Sequence, residues 1–239
     1  MYDDKFSTNA KLRESGITVA PSSLVSLDDL VQTAASMTYP LVLKPIRGRG
    51  SEGVTKVENL TELQTTAQNL LQSGKYGNRL ILEQYLTGQE ITITVMPPGT
   101  YSINKAEITK DDFWALPVVK RFNHVNGVAP YNGVVAVVKN SSLLNETELT
   151  EIKYTNVMKE CEKAAKIVGA KAPIRIDCRE LDDKFYLFDL NMKPNMTGAG
   201  RPGREDQDSL TCIAARGIGW NFTELLLNML KQAWLAEKM

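Results

Sequence analysis

Apolar residues recur at helical spacing in some parts of the chain and alternate with polar residues in others. Helical spacing predicts helices over residues 5–15, 24–37, 61–73 and 146–168, with two more near the end of the chain. Apolar runs of strand length predict strands at 39–46, 53–57, 79–86, 88–96, 133–139, 174–181 and 184–191. In 88–96 the alternation is strict, which predicts a strand with one buried face. Residues 110–133 show little periodicity and are rich in Asn, Gly and Pro, so we expect a long loop there.

A glycine-rich stretch, KPIRGRGSEGV at residues 44–54, lies between two predicted strands. Gly48, Gly50 and Gly53 fall on the spacing G-x-G-x-x-G, which in several unrelated folds brings backbone N–H groups close to phosphate oxygens. No helix is predicted to start at this loop, unlike the loop of a dinucleotide-binding unit, and the sequence lacks the kinase and Walker signatures. A flexible flap over a phosphate is one interpretation, and a surface hairpin without a ligand is the other.

Composition excludes several classes of protein. The 239 residues contain 28 Lys plus Arg and 28 Asp plus Glu, so no overall field favours nucleic acid or acidic membranes, and any anion site must be local. Three widely spaced cysteines form no disulfide framework, which fits a reducing cytoplasm. The single histidine, His124, supports neither a zinc site nor a Ser-His-Asp triad. No apolar run reaches the roughly 18 residues of a membrane span, and no signal peptide is indicated.

Two neighbouring strands, IRIDCREL at 174–181 and KFYLFDLN at 184–191, carry acids whose register can be predicted. Because side chains alternate along a strand, each strand has an apolar row and a polar row. The rows are, in the first strand, Ile174, Ile176 and Cys178 against Arg175, Asp177 and Arg179, and in the second, Tyr186, Phe188 and Leu190 against Asp189 and Asn191. If both apolar rows join one core, Asp177 must face Asp189 and Arg175 must face Asn191, because a slip of one residue would bury the acids. This register demands an odd loop, most simply Asp182-Asp183-Lys184.

The predicted pairing of Asp177 with Asp189 has a chemical consequence. Carboxylates directly opposed on neighbouring strands have Cβ atoms about 5 Å apart and repel each other unless a cation lies between them. Oxygen ligands of this kind suit Mg²⁺ bound jointly with phosphates. The alternative is a solvated polar face in which Arg175 neutralises the acids.

Five motifs in order along the chain together resemble the ATP-grasp superfamily and, within it, the D-alanine:D-alanine ligase group. They are the Asp4-Lys5 start, Lys44-Pro45 with its glycine loop, LEQYLTGQE at 82–90, IRID at 174–177 and FDLNMKPNMT at 188–197. The resemblance implies an α+β ATP-grasp fold in which two lobes with mainly antiparallel sheets grip ATP between them. We therefore expect an amino-terminal lobe over residues 1–87 with the glycine-rich phosphate loop, and a carboxy-terminal lobe over 88–239 with the metal-binding hairpin.

The resemblance also implies a role for each residue that matches a family motif. For the nucleotide it implies phosphate contacts from Lys5, Lys44, Gly48, Gly50, Ser51 and Gly53, adenine contacts from Glu83, Gln84, Tyr85 and Leu86, and ribose binding by Glu90. For the metal it implies Mg²⁺ ligands Asp177, Asp189 and Asn191, with Arg175 steadying the transferred phosphoryl group. Tyr85 and Leu86 can equally belong to the core. We expect Lys120, or its neighbour Arg121, to reach the γ-phosphate from the long loop, although a basic pair in a loop is usually solvated.

Substrate contacts are expected in the loop that follows Asn191, where D-alanine ligases bind their second amino acid. The family pattern N-T-x-P-G is replaced here by NMKPNMT, and GAGRPGREDQD then precedes Ser209-Leu210. Arg201 and Arg204 can grip a substrate carboxylate with bidentate geometry, and we expect Ser209 and Leu210 to complete the site. A flexible charged loop is the alternative.

The resemblance implies an ATP-dependent carboxylate–amine ligase that forms a peptide-type bond through an acyl phosphate. Its cofactors would be ATP and Mg²⁺, its partners amino acids or dipeptides rather than nucleic acid or membrane, and its location the cytoplasm; a homodimer is compatible with it. The family's additional amino-terminal domain has no counterpart in this sequence, so we expect a fragment, a subunit completed by a partner, or a stand-alone unit. The alternative function is a nucleotide-binding module that senses or gates without ligation.

Overall fold

The structure is a computed structural model that describes residues 4–48, 51–124, 127, 137–199, 202–203, 205 and 207–232. Its helices are α1 (Lys5–Glu14), α2 (Leu30–Ala34), α3 (Leu60–Gln72), α4 (Glu146–Leu149), α5 (Ile152–Ile167), α6 (Leu210–Arg216) and α7 (Phe222–Lys231). Its strands are β1 (Ser22–Val25), β2 (Leu41–Pro45), β3 (Thr55–Val57), β4 (Leu80–Gln84), β5 (Glu90–Met96), β6 (Gly99–Ile103), β7 (Ala106–Lys110), β8 (Trp114–Ala115), β9 (Val119–Arg121), β10 (Ser141–Leu143), β11 (Ile174–Leu181) and β12 (Lys184–Asn191). None of the helices in this part of the chain is long and apolar enough to cross a membrane.

Two antiparallel sheets form the two sides of the molecule. The first has the strand order β1-β4-β2-β3, and α2 and α3 pack on it over a core that includes Leu41, Leu43 and Leu82. The second has the order β10-β9-β5-β11-β12, with β8 also paired to β5, and α5 packs against it. A third, two-stranded sheet is the hairpin of β6 and β7. The expected α+β architecture with mainly antiparallel sheets is confirmed.

Several predicted elements differ from the structure for local reasons. The helix predicted at 24–37 is instead β1 followed by α2, because the Asp29 carboxylate accepts hydrogen bonds from Ser26 N at 2.6 Å and Ser26 Oγ at 3.0 Å and turns the chain between them. All of β5 is buried, not only one face, because it lies inside the sheet and contributes to two cores. The loop expected at 110–133 contains β8 and β9, and the helix predicted at 146–168 is divided into α4 and α5. Of the strand predicted at 133–139, residues 137–139 form a 3₁₀ helix and the rest lie outside the described residues.

Helix α1 packs on the second sheet although it precedes the first sheet in the chain. Leu12 is fully buried in the core that α5 shares with β5, β11 and β12. The chain after α1 runs beside β12, where Leu187 N donates to Thr18 O and Ala20 N donates to Leu187 O, both at 2.9 Å. This attachment brings Lys5, at the start of α1, next to β12. A lobe boundary between residues 87 and 88 stays a prediction, since α1 touches β1 of the first sheet but contributes Leu12 to the core of the second.

The register predicted for β11 and β12 is confirmed. Asp177 pairs with Asp189, and Arg175 pairs with Asn191. The apolar residues of β11 are buried in the core on the opposite face, as predicted: Ile174, Ile176 and Cys178. The acids and the amide expected at a metal site therefore lie on neighbouring strands in one register.

The loop and part of the apolar row predicted for this hairpin are wrong, because a β-bulge and not an odd loop sets the register. Asp182 and Asp183 form a two-residue turn with φ of 50° and 58°, the left-handed conformation that matches the twist of a hairpin. The pairing shifts by one residue after Asp177, which leaves Phe188 as the bulged residue of β12. The core residues of β12 are consequently Phe185 and Leu187, with Leu190 packed against them, rather than Tyr186 and Phe188.

A second core joins β6, β8 and α6 around three aromatic side chains. The Tyr101 ring centroid lies 5.0 Å from that of Trp114 and 6.0 Å from that of Trp220. Tyr101 is fully buried, and its hydroxyl donates to Pro97 O. Burial raises the pKa of Tyr101 to about 12, because the charged phenolate would lose its contact with water.

If packing on the second sheet holds α1, shortening Leu12 must cost stability. We expect Leu12→Ala to lower the free energy of unfolding by about 2–5 kcal/mol, because it removes buried methyl groups and leaves a cavity. Urea denaturation followed by tryptophan fluorescence measures the change. Leu227→Ala is the matched control: Leu227 is 55% exposed on α7, and its truncation should change stability by no more than about 0.5 kcal/mol. Equal stability of Leu12→Ala and the parent would contradict the packing.

The raised pKa of Tyr101 predicts a specific loss of stability in alkaline solution. Folding favours the neutral phenol, so its contribution is complete below the ordinary pKa of 10.0 and is lost as the pH rises through about 12. Over that interval we expect the free energy of unfolding to fall more steeply for the parent than for Tyr101→Phe. Urea unfolding curves for both proteins at matched pH values give the comparison. Parallel pH dependences would show that folding does not shift this ionisation.

Candidate functional site

A cleft of about 930 Å³ lies between the two lobes. Strands β2 and β4 and the glycine loop border it on one side, and β5, β9, β11 and β12 border it on the other. Its lining includes Lys5, Lys44, Gly48, Ser51, Glu83, Gln84, Tyr85, Leu86, Glu90, Arg121, Gly127, Arg175, Asp177, Arg179, Phe188, Asp189, Asn191, Lys193 and Asn195. Residues far apart in the chain therefore meet at one site.

Two carboxylates and one amide lie together in the cleft. Asn191 Nδ2 donates to Asp177 Oδ2 at 3.2 Å and to Asp189 Oδ2 at 3.3 Å, and the Lys5 ammonium bonds to Asp189 Oδ1. Across the described ranges, no group of three or more His, Cys, Asp or Glu side chains is placed to hold a metal ion. The third oxygen here belongs to the Asn191 amide, whose O and N exchange places on a half-turn. Three oxygen donors of this kind suit a hard cation such as Mg²⁺.

Arg175 neutralises Asp177 through a two-pronged contact. Arg175 Nε donates to Asp177 Oδ1 at 3.1 Å and Nη2 donates to Oδ2 at 3.0 Å, while Thr92 Oγ1 donates to Oδ1 at 2.6 Å. Burial acts to raise the pKa of Asp177, but the Arg175 charge and the hydrogen bonds from Arg175 and Thr92 outweigh it, so the pKa lies below its ordinary value. Asp177 is therefore ionised at neutral pH and fixes the Arg175 guanidinium in place.

A buried ion pair holds Lys44 in the cleft. Its Nζ lies 2.7 Å from Glu83 Oε1 and 3.3 Å from Phe188 O, and Lys44 and Glu83 are 4% and 3% exposed. Burial raises the pKa of Glu83 above its ordinary value despite the attraction of Lys44. The second oxygen, Glu83 Oε2, is buried and has no hydrogen-bond partner in the described part of the chain. A buried acceptor without a donor at the edge of a cleft favours a ligand that carries an N–H or O–H group.

The glycine loop follows Lys44 and borders the cleft. Gly48 and Ser51 line the cleft, whereas Gly50 lies outside the described residues. Gly53 is required by its surroundings, because its φ is 74° and a Cβ there would lie 2.8 Å from Pro45 Cγ. Gly48 and Ser51 thus place small side chains next to the cleft, where backbone N–H groups can approach phosphate oxygens.

Glu90 lies farther along the same sheet, between two arginines. It pairs with Arg121 of β9 on one side and with Arg179 of β11 on the other. Its Oε2 lies 3.0 Å from His124 Nε2 and 3.7 Å from Arg179 Nη2. Glu90, Arg121 and Arg179 are 7%, 3% and 9% exposed. Three buried ionisable residues thus lie side by side on β9, β5 and β11, and the Glu90 carboxylate contacts Arg179.

The chain from Gln84 to Leu86 crosses from the first lobe to the second at the edge of the cleft. Gln84 Nε2 donates to Thr38 O at 2.8 Å, so its side chain fastens the crossing to the first lobe. The Tyr85 hydroxyl donates to Gly127 O at 3.1 Å. Tyr85 and Leu86 are buried and also line the cleft, so packing and ligand contact are compatible for both.

Of the two adjacent basic residues expected to reach the γ-phosphate, Arg121 lines the cleft and Lys120 does not. Lys120 does not line the cleft, because its Nζ pairs with Glu148 Oε1 at 2.7 Å. The segment is strand β9 and not a loop, so successive side chains point to opposite faces, and Arg121 is the one that lines the cleft.

The expected substrate residues Ser209 and Leu210 do not line the cleft. Ser209 is 3% exposed and caps α6, where its Oγ accepts a hydrogen bond from Cys212 N at 3.2 Å. Leu210 is 1% exposed and belongs to the second core. Both positions are used to start a buried helix. Arg201 and Arg204 lie outside the described residues.

Several residues that line the cleft have no role assigned by the sequence motifs. Lys193 and Asn195 line it, and the departure of NMKPNMT from the family pattern was their signal. Arg179 lines it because it alternates with Arg175 on one face of β11, a placement that the strand pattern already contained. Phe188 lines it because of the bulge, which no pattern in the sequence indicates.

Comparison with known proteins identifies a family for most of the chain. The model of the family described as D-ala D-ala ligase C-terminus matches residues 12–231. Over 209 residues the chain is 28% identical to a D-alanine–D-alanine ligase from Francisella philomiragia, a match that covers 87% of this chain and 60% of the relative. Over 237 residues it is 28% identical to a D-alanine–D-alanine ligase from Buchnera aphidicola, covering 95% of this chain and 68% of the relative.

Solved structures agree with this fold. The D-alanine–D-alanine ligase from Bacillus anthracis complexed with ATP has a TM-score of 0.68 at 20% identity, over 97% of this chain and 66% of that one. The VanG D-Ala:D-Ser ligase from Enterococcus faecalis has a TM-score of 0.69 at 17% identity, over 97% and 62%. These similarities confirm the ATP-grasp fold, while the chain spans about 60% of the length of the Francisella relative. Because the family model matches nearly the whole chain, this chain belongs to the family of D-ala D-ala ligase C-terminal domains.

Proposed function

We propose that this chain binds ATP and Mg²⁺ in its cleft and acts as an ATP-dependent carboxylate–amine ligase, or as the catalytic portion of one, that joins amino acids. The observation that carries the proposal is the meeting of two acids and an amide, Asp177, Asp189 and Asn191, with Arg175 and Lys44 in one cleft. Membership of the family supports a ligase. Relatives named D-alanine–D-alanine ligase support small amino acids as the substrates.

Asp177, Asp189 and Asn191 would hold Mg²⁺, which when bound withdraws charge from the phosphate oxygens of ATP. The donor set fits this ion, because it offers two carboxylates and an amide oxygen within one group. The cations that neutralise the acids in the structure are Lys5 and Arg175. When a metal ion binds the two acids, both cations can instead donate hydrogen bonds to phosphate oxygens.

The chain's own cations would organise the phosphoryl transfer. Lys44 is anchored by Glu83, and Arg175 is anchored by Asp177, so both enter the reaction with their positions fixed. In the proposed first step a substrate carboxylate oxygen bonds to the γ-phosphorus as the bond to the β–γ bridging oxygen breaks, giving an acyl phosphate and ADP. An amine then bonds to the acyl carbon, phosphate leaves with the bonding electron pair, and the nitrogen releases a proton. Positioning and charge neutralisation are the protein's contribution.

The adenine and ribose would lie toward Glu83 and Glu90. Glu83 Oε2 is a buried acceptor that no donor in the described residues satisfies, and it suits an exocyclic amino group. Leu86, at the lobe crossing, adds buried apolar surface beside it. The Glu90 carboxylate, held by His124 and Arg179, suits the paired hydroxyls of a ribose.

The amino acids would lie beyond Asn191, where Lys193 and Asn195 line the cleft. Lys193 is exposed there, and its ammonium suits the carboxylate of an amino acid or dipeptide. Arg201 and Arg204 remain proposed contacts for the same carboxylate.

The first prediction from this function concerns Asp189. With Mg-ATP and a panel of D- and L-amino acids, we expect the parent to release phosphate and ADP only when an accepted amino acid is present. Asp189→Ala should lower that turnover by at least about 100-fold, because it removes a proposed ligand of the Mg²⁺ that offsets the charge on the transferred phosphate. Asp182→Ala, in the exposed hairpin turn, is the matched control and should retain parental turnover.

Two outcomes of this assay would contradict the proposal. Tight ATP binding without turnover for any amino acid would indicate a nucleotide-binding module. Undetectable ATP binding by the parent would contradict the proposal that the cleft binds a nucleotide.

A second prediction separates two adjacent basic residues. Arg121→Met should lower the rate of phosphate release by at least about tenfold, because it removes a cleft guanidinium from the developing charge. Lys120→Met should stay within about twofold of the parent, because it breaks only a partly exposed ion pair with Glu148. Thermal unfolding of both variants checks that each is folded at the assay temperature. The opposite ranking of the two rates would restore Lys120 as the residue that acts.

A further inference from the structure

Arg179 is a buried charge in the cleft that the proposed reaction does not use. It shares one face of β11 with Arg175 and Asp177 and is 9% exposed. At 3.3 Å per residue it lies roughly 13 Å along the strand from Arg175. It therefore stands away from the acids and phosphates and beside Glu90, where the nucleoside half of ATP is proposed to bind.

Contacts with Gly127, Glu90 and Tyr85 hold the Arg179 guanidinium in position. Its Nη1 donates to Gly127 O at 2.8 Å, and its Nη2 lies 3.7 Å from Glu90 Oε2. Its Cζ lies 4.9 Å from the centroid of the Tyr85 ring, and Tyr85 OH also donates to Gly127 O. These contacts leave Nε, which is buried and has no hydrogen-bond partner among the described residues.

A buried N–H of a charged group that lacks an acceptor costs free energy, because water has been removed and nothing replaces it. Arg179, which carries this N–H without an acceptor among the described residues, lines the cleft. The neighbouring carboxylate, Glu90, contacts Arg179 only through Nη2, at 3.7 Å, and its Oε2 is also 3.0 Å from His124 Nε2. An acceptor atom supplied by a ligand would satisfy the free Nε–H and lower the free energy of the complex.

We infer that Arg179 positions the nucleoside half of the bound nucleotide. It fixes the Glu90 carboxylate, and it donates its Nε–H to an acceptor of the nucleoside, either the ribose 2′-oxygen or one of the purine nitrogens N3 and N7. The inference rests on the proposed nucleotide site and adds to it a residue that selects the nucleoside.

The test measures equilibrium binding of Mg-ATP by calorimetry, without an amino acid, to the parent, Arg179→Met and Arg179→Lys. We expect Arg179→Met to bind ATP about tenfold or more weakly, because it loses a charge-assisted hydrogen bond and loosens Glu90. Arg179→Lys keeps a charge near Glu90 but has no Nε–H, so its affinity should fall between the two. Arg79→Met is the matched control, since Arg79 lies outside the cleft with a side chain 47% exposed, and it should bind as the parent does.

Nucleotide analogues identify the acceptor and separate direct contact from a structural effect. 2′-Deoxy-ATP lacks the ribose 2′-oxygen, and 3-deaza-ATP and 7-deaza-ATP each lack one ring nitrogen. One analogue should lack the acceptor that Arg179 contacts. For the parent, replacing ATP by that analogue should weaken binding by roughly the same factor as the substitution Arg179→Met weakens binding of ATP. For Arg179→Met, replacing ATP by the same analogue should weaken binding little further, because the contact is already lost. A variant that is merely less stable would lower affinity for every nucleotide by the same factor.

Each outcome decides the inference. Parental affinity of Arg179→Met for ATP, or additive losses with all three analogues, would overturn it while leaving the proposed function intact. A parent that binds no ATP would overturn both. If thermal unfolding shows that Arg179→Met does not fold, the analogue series with Arg179→Lys decides in the same way.

Discussion

The site depends on the antiparallel pairing of β11 with its neighbours β5 and β12. Pairing alternates the side chains, so the residues of β11 that face the cleft interleave with those that fill the core. The bulge at Phe188 then keeps Asp189 and Asn191 in register with the polar side of β11. The core and the site are thus opposite faces of one sheet. Stability and chemistry are therefore coupled through the same hydrogen-bonded strands.

Charge balance explains how so polar a cleft exists within a folded chain. Three acids of the cleft have a cation at hydrogen-bonding distance: Asp177 has Arg175, Asp189 has Lys5, and Glu83 has Lys44. Such pairing lowers the cost of removing the charges from water. A nucleotide with its metal carries both signs of charge and can exchange these internal partners for its own. The charged side chains of the cleft therefore have partners of opposite charge both in the free chain and in the proposed complex.

The sequence predicted those features that depend on local alternation and on ordered motifs. The register of Asp177 with Asp189 followed from the strand pattern alone, and the fold followed from the five motifs. Features that depend on tertiary contacts could not be predicted. The bulge at Phe188 leaves no compositional trace, and the use of Ser209 as a helix cap depends on the packing of α6. The sequence could not separate Lys120 from Arg121, because a loop has no faces, whereas strand β9 has two.

The chain passes between the two sheets twice, and the two connections lie side by side. The first contains Pro21 and the second begins at Gln84, whose N donates to Pro21 O at 2.9 Å. Two adjacent connections tied by a hydrogen bond resist sliding and twisting more than they resist swinging about their common line. Opening and closing of the cleft would thus be a rotation of one sheet relative to the other about an axis near these residues. Such a rotation would change the distance between the glycine loop and Asp189, which line the same cleft, while each sheet keeps its own structure.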